Sequence, residues 1–149
     1  PAELALEWLD TVPFEPRLKA YALEQFANGS PDPLGRVATA VMFRRNALRI
    51  ADSRRAGGAP TWLYDFQQPS SVSGGSGHCL ELPFTWDCLA DAQAIRVLGA
   101  NQPQALADAM HGAWVQFMRT GTPGWDQGTG RVFGGDETKT AFADVAALA

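Results

Sequence analysis

Cysteine is scarce: the 149 residues hold two, Cys79 and Cys88, too few to build a disulfide scaffold. Histidine is equally rare, with His78 and His111 only. Neither pair falls at the close spacing of a zinc site, so no metal is expected. No apolar run approaches the roughly 18 residues of a membrane span, so none is expected. Basic residues are in deficit, 12 Lys and Arg against 16 Asp and Glu, which gives a net charge of −4. An acidic total argues against nucleic acid as the partner. There is no internal repeat and no long low-complexity stretch. What is present is apolar: 46% hydrophobic residues exclude a disordered tail and suffice for one domain's core.

The opening also lacks features. Residue 1 is Pro rather than Met, and no charged-then-apolar signal segment comes after it. Residues 1–9 already read as helix interior, with Leu4, Ala5, Trp8 and Leu9 on one face. The expectation is a piece of a longer protein, with residues 1–35 a helical lead-in.

Pro13 and Pro16 interrupt the helical pattern, and Leu18, Ala22, Gln25 and Phe26 resume it. Asn28-Gly29 supplies a left-handed stop, and Ser30-Pro31-Asp32-Pro33 is a rigid loop. Residues 34–56 form the first strong helix. Val37, Ala40, Val41, Phe43, Ala47, Leu48, Ile50 and Ala51 make a broad apolar face, expected to be buried against a sheet. Arg44, Arg45, Arg49, Arg54 and Arg55 cover much of the rest and gather where the helix dipole favours positive charge. They read as a solvated face, because the aromatic interleaving of a single-strand binding surface is missing.

Residues 59–66 read as a buried strand, with Trp62, Tyr64 and Phe66 on one face and Thr61, Leu63 and Asp65 on the other. A long helix, a short Gly turn and an aromatic strand form the αβ half of an α/β unit. Residues 67–77, rich in Ser and Gly, are expected to give flexible reach to the segment that begins at His78. Residues 102–120 form the second strong helix, with Leu106, Met110, Ala113, Trp114 and Phe117 on one stripe. Gly121 is its stop and Pro123 bars continuation. Residues 131–142 are expected to form a small edge hairpin turning at Gly134-Gly135.

His78 is the residue to explain. It comes after a strand and a Gly-rich loop, where a histidine can move protons near neutral pH. Position alone favours a partly exposed loop histidine. The surrounding residues add more. The run Gly75-Ser76-Gly77-His78-Cys79-Leu80-Glu81-Leu82-Pro83-Phe84-Thr85-Trp86 resembles the catalytic-histidine segment of type B carboxylesterases, the family of cholinesterases and bacterial para-nitrobenzyl esterases. That family reads Gly-Ala-x-His-x-x-Glu-Leu-Pro-Phe-x-Phe, and Ser76 and Trp86 are mild departures. Residues 43–51 are similar to the family's helix before the last core strand, and residues 59–66 to that strand. Residues 114–123 resemble its "W-x-x-F-x-x-T-G-x-P" helix end, and Asp136-Glu137-Thr138 its closing hairpin. The likeness covers most of residues 36–142 with the order of parts preserved.

The resemblance implies an α/β fold: the C-terminal portion of an α/β-hydrolase, with helices flanking the last core strand and a short hairpin. It implies ester hydrolysis through a Ser–His–acid triad, a small-molecule ester as substrate, and no cofactor. His78 would be the catalytic histidine. Glu81 would belong to the motif's frame, holding the loop by hydrogen bonds, and Phe84 and Trp86 would line an acyl pocket or pack in the core.

One departure is decisive. The family's nucleophile sits in a Gly-x-Ser-x-Gly elbow, and no serine here meets that pattern. Ser76 comes closest, with Gly74 two before but His78 two after. Chain order puts the serine first, the acid next and the histidine last. The nucleophile and acid are therefore expected outside this chain, in a missing N-terminal portion that is its partner. Glu3, Glu7, Asp10 and Glu15 precede His78 but lie on helical segments. Alone, the chain is expected to be inactive. It is also expected to self-associate through an unpartnered sheet edge and an uncovered apolar helix face, which sedimentation as a clean monomer would contradict. The alternative is a non-catalytic binding or adhesion module with the same fold.

Overall fold

The computed structural model describes residues 7, 11, 15–29 and 32–149. The expected face formed by Leu4, Ala5, Trp8 and Leu9 lies outside the described residues, as do Glu3 and Asp10. The chain divides into two compact units. One comprises residues 1–59 with 142–149, and the other residues 60–141.

In the first unit, helix α1 runs Pro16–Ala27. Pro16 opens it rather than breaking it, because a first-turn N–H has no intrahelical partner to lose. Leu18, Tyr21 and Ala22 are its buried residues, and Gly29 takes the left-handed φ of +64° just past its end. The Asp32 side chain caps the next helix by accepting from the Gly35 amide at 2.9 Å. That helix continues through three segments: α2 (Pro33–Thr39), a π turn (Ala40–Arg44) and α3 (Arg45–Ala56). The π turn widens the ring of backbone bonds. Asn46 Nδ2 donates into it, to the carbonyls of Val41 and Met42 at 3.2 and 3.1 Å.

The broad apolar face of this helix is not buried against a sheet. Its buried residues are Val37, Ala40 and Ala51, whereas Met42, Phe43 and Ile50 are 63%, 54% and 62% exposed. Small side chains face α1 and the C-terminal turn, and the larger ones point away, where the described residues of this unit hold no strand to meet them. Nor are all the arginines simply solvated. Arg44 pairs with Asp144 at 2.6 Å and lies over the Phe142 ring, and Arg49 donates to the Ala149 carbonyl. They tie a closing 3-10 turn, Ala143–Leu148, onto the helix, with Val145 and Leu148 buried beneath it.

The second unit holds strands β1 (Tyr64–Phe66) and β2 (Arg131–Phe133) and helices α4 (Leu82–Thr85), α5 (Ala92–Leu98) and α6 (Gln104–Thr120). The strands pair in parallel, Tyr64 with Arg131, Asp65 with Val132 and Phe66 with Phe133. Parallel pairing needs a long crossover, and residues 67–130 with their three helices supply it. The strand expected over 59–66 is thus confined to its last three residues. Its alternation holds, with Asp65 buried and Tyr64 and Phe66 half-buried on the other face.

The expected hairpin is not formed. Gly134, at φ +74°, leaves β2 pressed against Gln68, where an added Cβ would come within 2.8 Å of the backbone. The Gly pair therefore serves close passage alongside the exit from β1 rather than a reversing turn. The chain then folds through an Asp136–Thr138 side-chain turn and returns by one backbone bond, Ala141 N–H to the Thr129 carbonyl.

Leu80, Phe84, Ala94, Leu98, Ala107, Met110, Ala113 and Phe133 form this unit's core. Helix α6 ends as expected, on a left-handed Gly121. Its stripe is buried at Met110 and Ala113, but Trp114 and Phe117 remain about 40% exposed at its far end, edge-on to Tyr64 and Trp62.

Candidate active site

The path from β1 to His78 is anchored rather than loose. Ser70 is buried, and its Oγ donates to the Val97 carbonyl at 2.6 Å while accepting from the amides of Val72 and Ser73. The Ser71 amide and hydroxyl both donate to the Leu98 carbonyl. Ser70 and Gly74–Gly75 exchange backbone bonds that close residues 70–75 into a tight turn. The serines that look like linker composition therefore dock the loop on the C-terminal end of α5.

His78 stands on a second turn, closed by the Leu80 amide donating to the Gly77 carbonyl at 3.3 Å. Cys79 occupies its third position with φ +64°, a left-handed conformation that glycine usually fills. Such a residue stores strain of order 1 kcal/mol and persists only where its surroundings fix it. Leu80, buried in the core, is that fixture. His78 is exposed on this turn, which comes after β1 in the chain.

Glu81 is half-buried. It holds the loop through its backbone carbonyl, which accepts from the amides of Phe84 and Thr85. Its carboxylate makes no hydrogen bond among the described residues but lies near Tyr64. Burial first, and then this carboxylate, push the Tyr64 hydroxyl above its ordinary range and keep it neutral.

Of the two places expected for Phe84, the structure shows the core. It is fully buried, with its ring 5.2 Å from that of Phe66, and so is a core residue rather than a pocket wall. Trp86, 67% exposed, has the surface a pocket wall needs.

Thr85 closes α4. Its carbonyl receives His111 Nδ1 at 2.9 Å, so the half-buried His111 is a packed helix residue. The Thr85 hydroxyl is buried with no hydrogen-bond partner among the described residues. Removing an unsatisfied buried hydroxyl and keeping its shape is favourable. Thr85→Val is thus expected to raise the stability measured by chemical denaturation by about 0.5–1.5 kcal/mol. A loss of stability would mean that the hydroxyl has a water or protein partner.

Both cysteines are free and exposed. Among the described residues, no group of three or more His, Cys, Asp or Glu is placed to hold a metal ion, and no helix is long and apolar enough to cross a membrane. Glu15 is paired with Arg45 at 3.6 Å.

Sequence reading passed over two features. Helix α5 had a visible signal: Asp91 caps it by accepting from Gln93 and Ala94, and Gly99 ends it. The contact between His111 and Thr85 had none, since it joins residues 26 apart.

Comparison with known proteins adds an independent line. The model of the Carboxylesterase family matches residues 17–142. A phenmedipham hydrolase from Pseudarthrobacter oxydans is 32% identical over 117 residues, covering 72% of this chain. The chain spans 24% of the length of that relative.

Proposed function

The chain belongs to the carboxylesterase family, and from that premise we propose that it is the C-terminal part of an α/β-hydrolase that cleaves small-molecule carboxylic esters. His78 is its catalytic histidine. The observation that supports this reading is the mounting of His78. An exposed imidazole stands on a strained turn whose following residues, Leu80 and Phe84, are buried in the core. A proton carrier needs that combination of access and fixed position.

In the proposed reaction, a serine hydroxyl from outside this chain attacks the ester carbonyl. One ring nitrogen of His78 takes the hydroxyl proton as the C–O bond forms. The tetrahedral oxyanion is stabilised by backbone N–H groups supplied elsewhere. His78 then gives its proton to the departing alkoxide, which leaves as the alcohol. Water enters, loses a proton to His78 and releases the acid, and His78 returns the proton to the serine. The other ring nitrogen is oriented by an acidic residue, also outside this chain. Trp86 lines the acyl side of the site and Glu81 supports its frame. A hydrolytic role accords with a relative named a phenmedipham hydrolase.

The test uses the complete protein and a fluorophosphonate probe, which reacts with activated serines. Labelling is expected at a serine outside these 149 residues, and His78→Ala is expected to prevent it. Labelling at a serine within the chain, or undiminished labelling of His78→Ala, would overturn the proposal. No labelling of the folded wild-type protein would point instead to a binding module.

A further inference from the structure

We propose that His111 is a positioning residue for the catalytic loop: its imidazole supplies the donor that completes the C-terminal end of α4. This inference rests on the reading of His78 as the catalytic histidine. Helix α4 has four residues, so none of its carbonyls has a partner within the helix. The next residues in the chain supply three. Trp86 N–H donates to the Leu82 carbonyl at 2.9 Å, Cys88 N–H to Pro83 at 2.9 Å, and Asp87 N–H to Phe84 at 3.3 Å. The Thr85 carbonyl receives no backbone donor among the described residues. His111 Nδ1, at 2.9 Å, takes that place from the middle of α6.

The consequence reaches His78 through a short path. One helical turn cannot hold itself together in water. Its geometry depends on what it packs against, and α6 is its main neighbour. Phe84 and Leu80 bind the segment through apolar contacts that fix depth but not direction. The bond from His111 is directional, and it joins a 17-residue helix to the element that begins four residues after His78.

The chemistry also assigns a protonation site. A carbonyl oxygen accepts and cannot donate, so Nδ1 must carry the proton. Neutral His111 is therefore the Nδ1-protonated tautomer, with the lone pair on Nε2.

The test uses the complete esterase at a temperature where every variant is folded. His111→Ala is expected to lower kcat by about tenfold to a hundredfold with KM within about twofold, the signature of a displaced catalytic group. The Nδ2 of asparagine stands as many bonds from Cβ as Nδ1 of histidine, so His111→Asn is expected to restore most of kcat. Wild-type kcat in His111→Ala, a loss confined to KM, or failure of His111→Asn to restore kcat would overturn the inference. Long-range proton–nitrogen correlation on the unmutated protein gives a reading that needs no variant. Nδ1 protonation of neutral His111 is expected, and the Nε2 tautomer would overturn the bond. His78→Ala, run alongside, separates the two claims. If it remains active, the reading of His78 falls; if it is inactive while His111→Ala is normal, only the role of His111 falls.

Discussion

If the proposed function holds, replacing His78 with alanine in the complete protein is expected to lower kcat for ester hydrolysis by about 10⁴–10⁶-fold and to leave KM within a few fold. The magnitude derives from the role proposed for the imidazole. Without a base, the serine hydroxyl attacks while still holding its proton, and the alkoxide leaves without one. Members of a triad act as a unit, so loss of one removes most of what all three provide. Binding should survive, because the exposed imidazole adds little apolar contact with substrate. The measurement is steady-state hydrolysis of a para-nitrophenyl ester beside a denaturation curve. The curve should move by no more than about 0.5 kcal/mol. A loss of activity explained by unfolding, or a kcat within tenfold of wild type, would remove His78 from the chemistry.

Local signals were legible in the sequence and long-range ones were not. The stops at Gly29 and Gly121 could be read because a left-handed residue after a helical stripe is a local requirement. The alternation of Tyr64, Asp65 and Phe66 was likewise a property of consecutive residues. The Gly134-Gly135 pair misled, because two glycines serve a reversing turn and a close backbone approach equally well. Only Gln68, 66 positions earlier and pressed against Gly134, distinguishes them. The broad apolar face of the 33–56 helix misled for another reason. Periodicity shows which residues seek cover, not whether the described residues supply it. At the site, the motif around His78 was visible as a run of residues. Its mounting was not, since Ser70 to Val97, Phe84 to Phe66 and His111 to Thr85 each join distant positions.

That mounting carries the second large effect. Phe84→Ala is expected to destabilise the complete protein by about 3–5 kcal/mol, the range for deleting a fully buried aromatic ring. Phe84 has no exposed surface, and its ring meets Phe66 on β1 while its helix packs on α6. Alanine would leave a cavity at the place where the histidine segment is pinned to the strand. Leu80, the remaining apolar anchor, lies on the His78 side of α4 and cannot hold its far end. Activity should therefore fall by more than the unfolded fraction alone explains, even well below the denaturation midpoint. Trp86→Ala is the matched control two residues along. At 67% exposed, its ring should be lost at a cost within about 0.5 kcal/mol, with any kinetic effect appearing in KM for bulky acyl groups. The pair separates core from pocket by measurement, with denaturation midpoints set against KM for short and long acyl chains. A stable Phe84→Ala variant with altered acyl preference would return Phe84 to the pocket wall. An unstable Trp86→Ala would show that the exposed indole is covered in the complete enzyme.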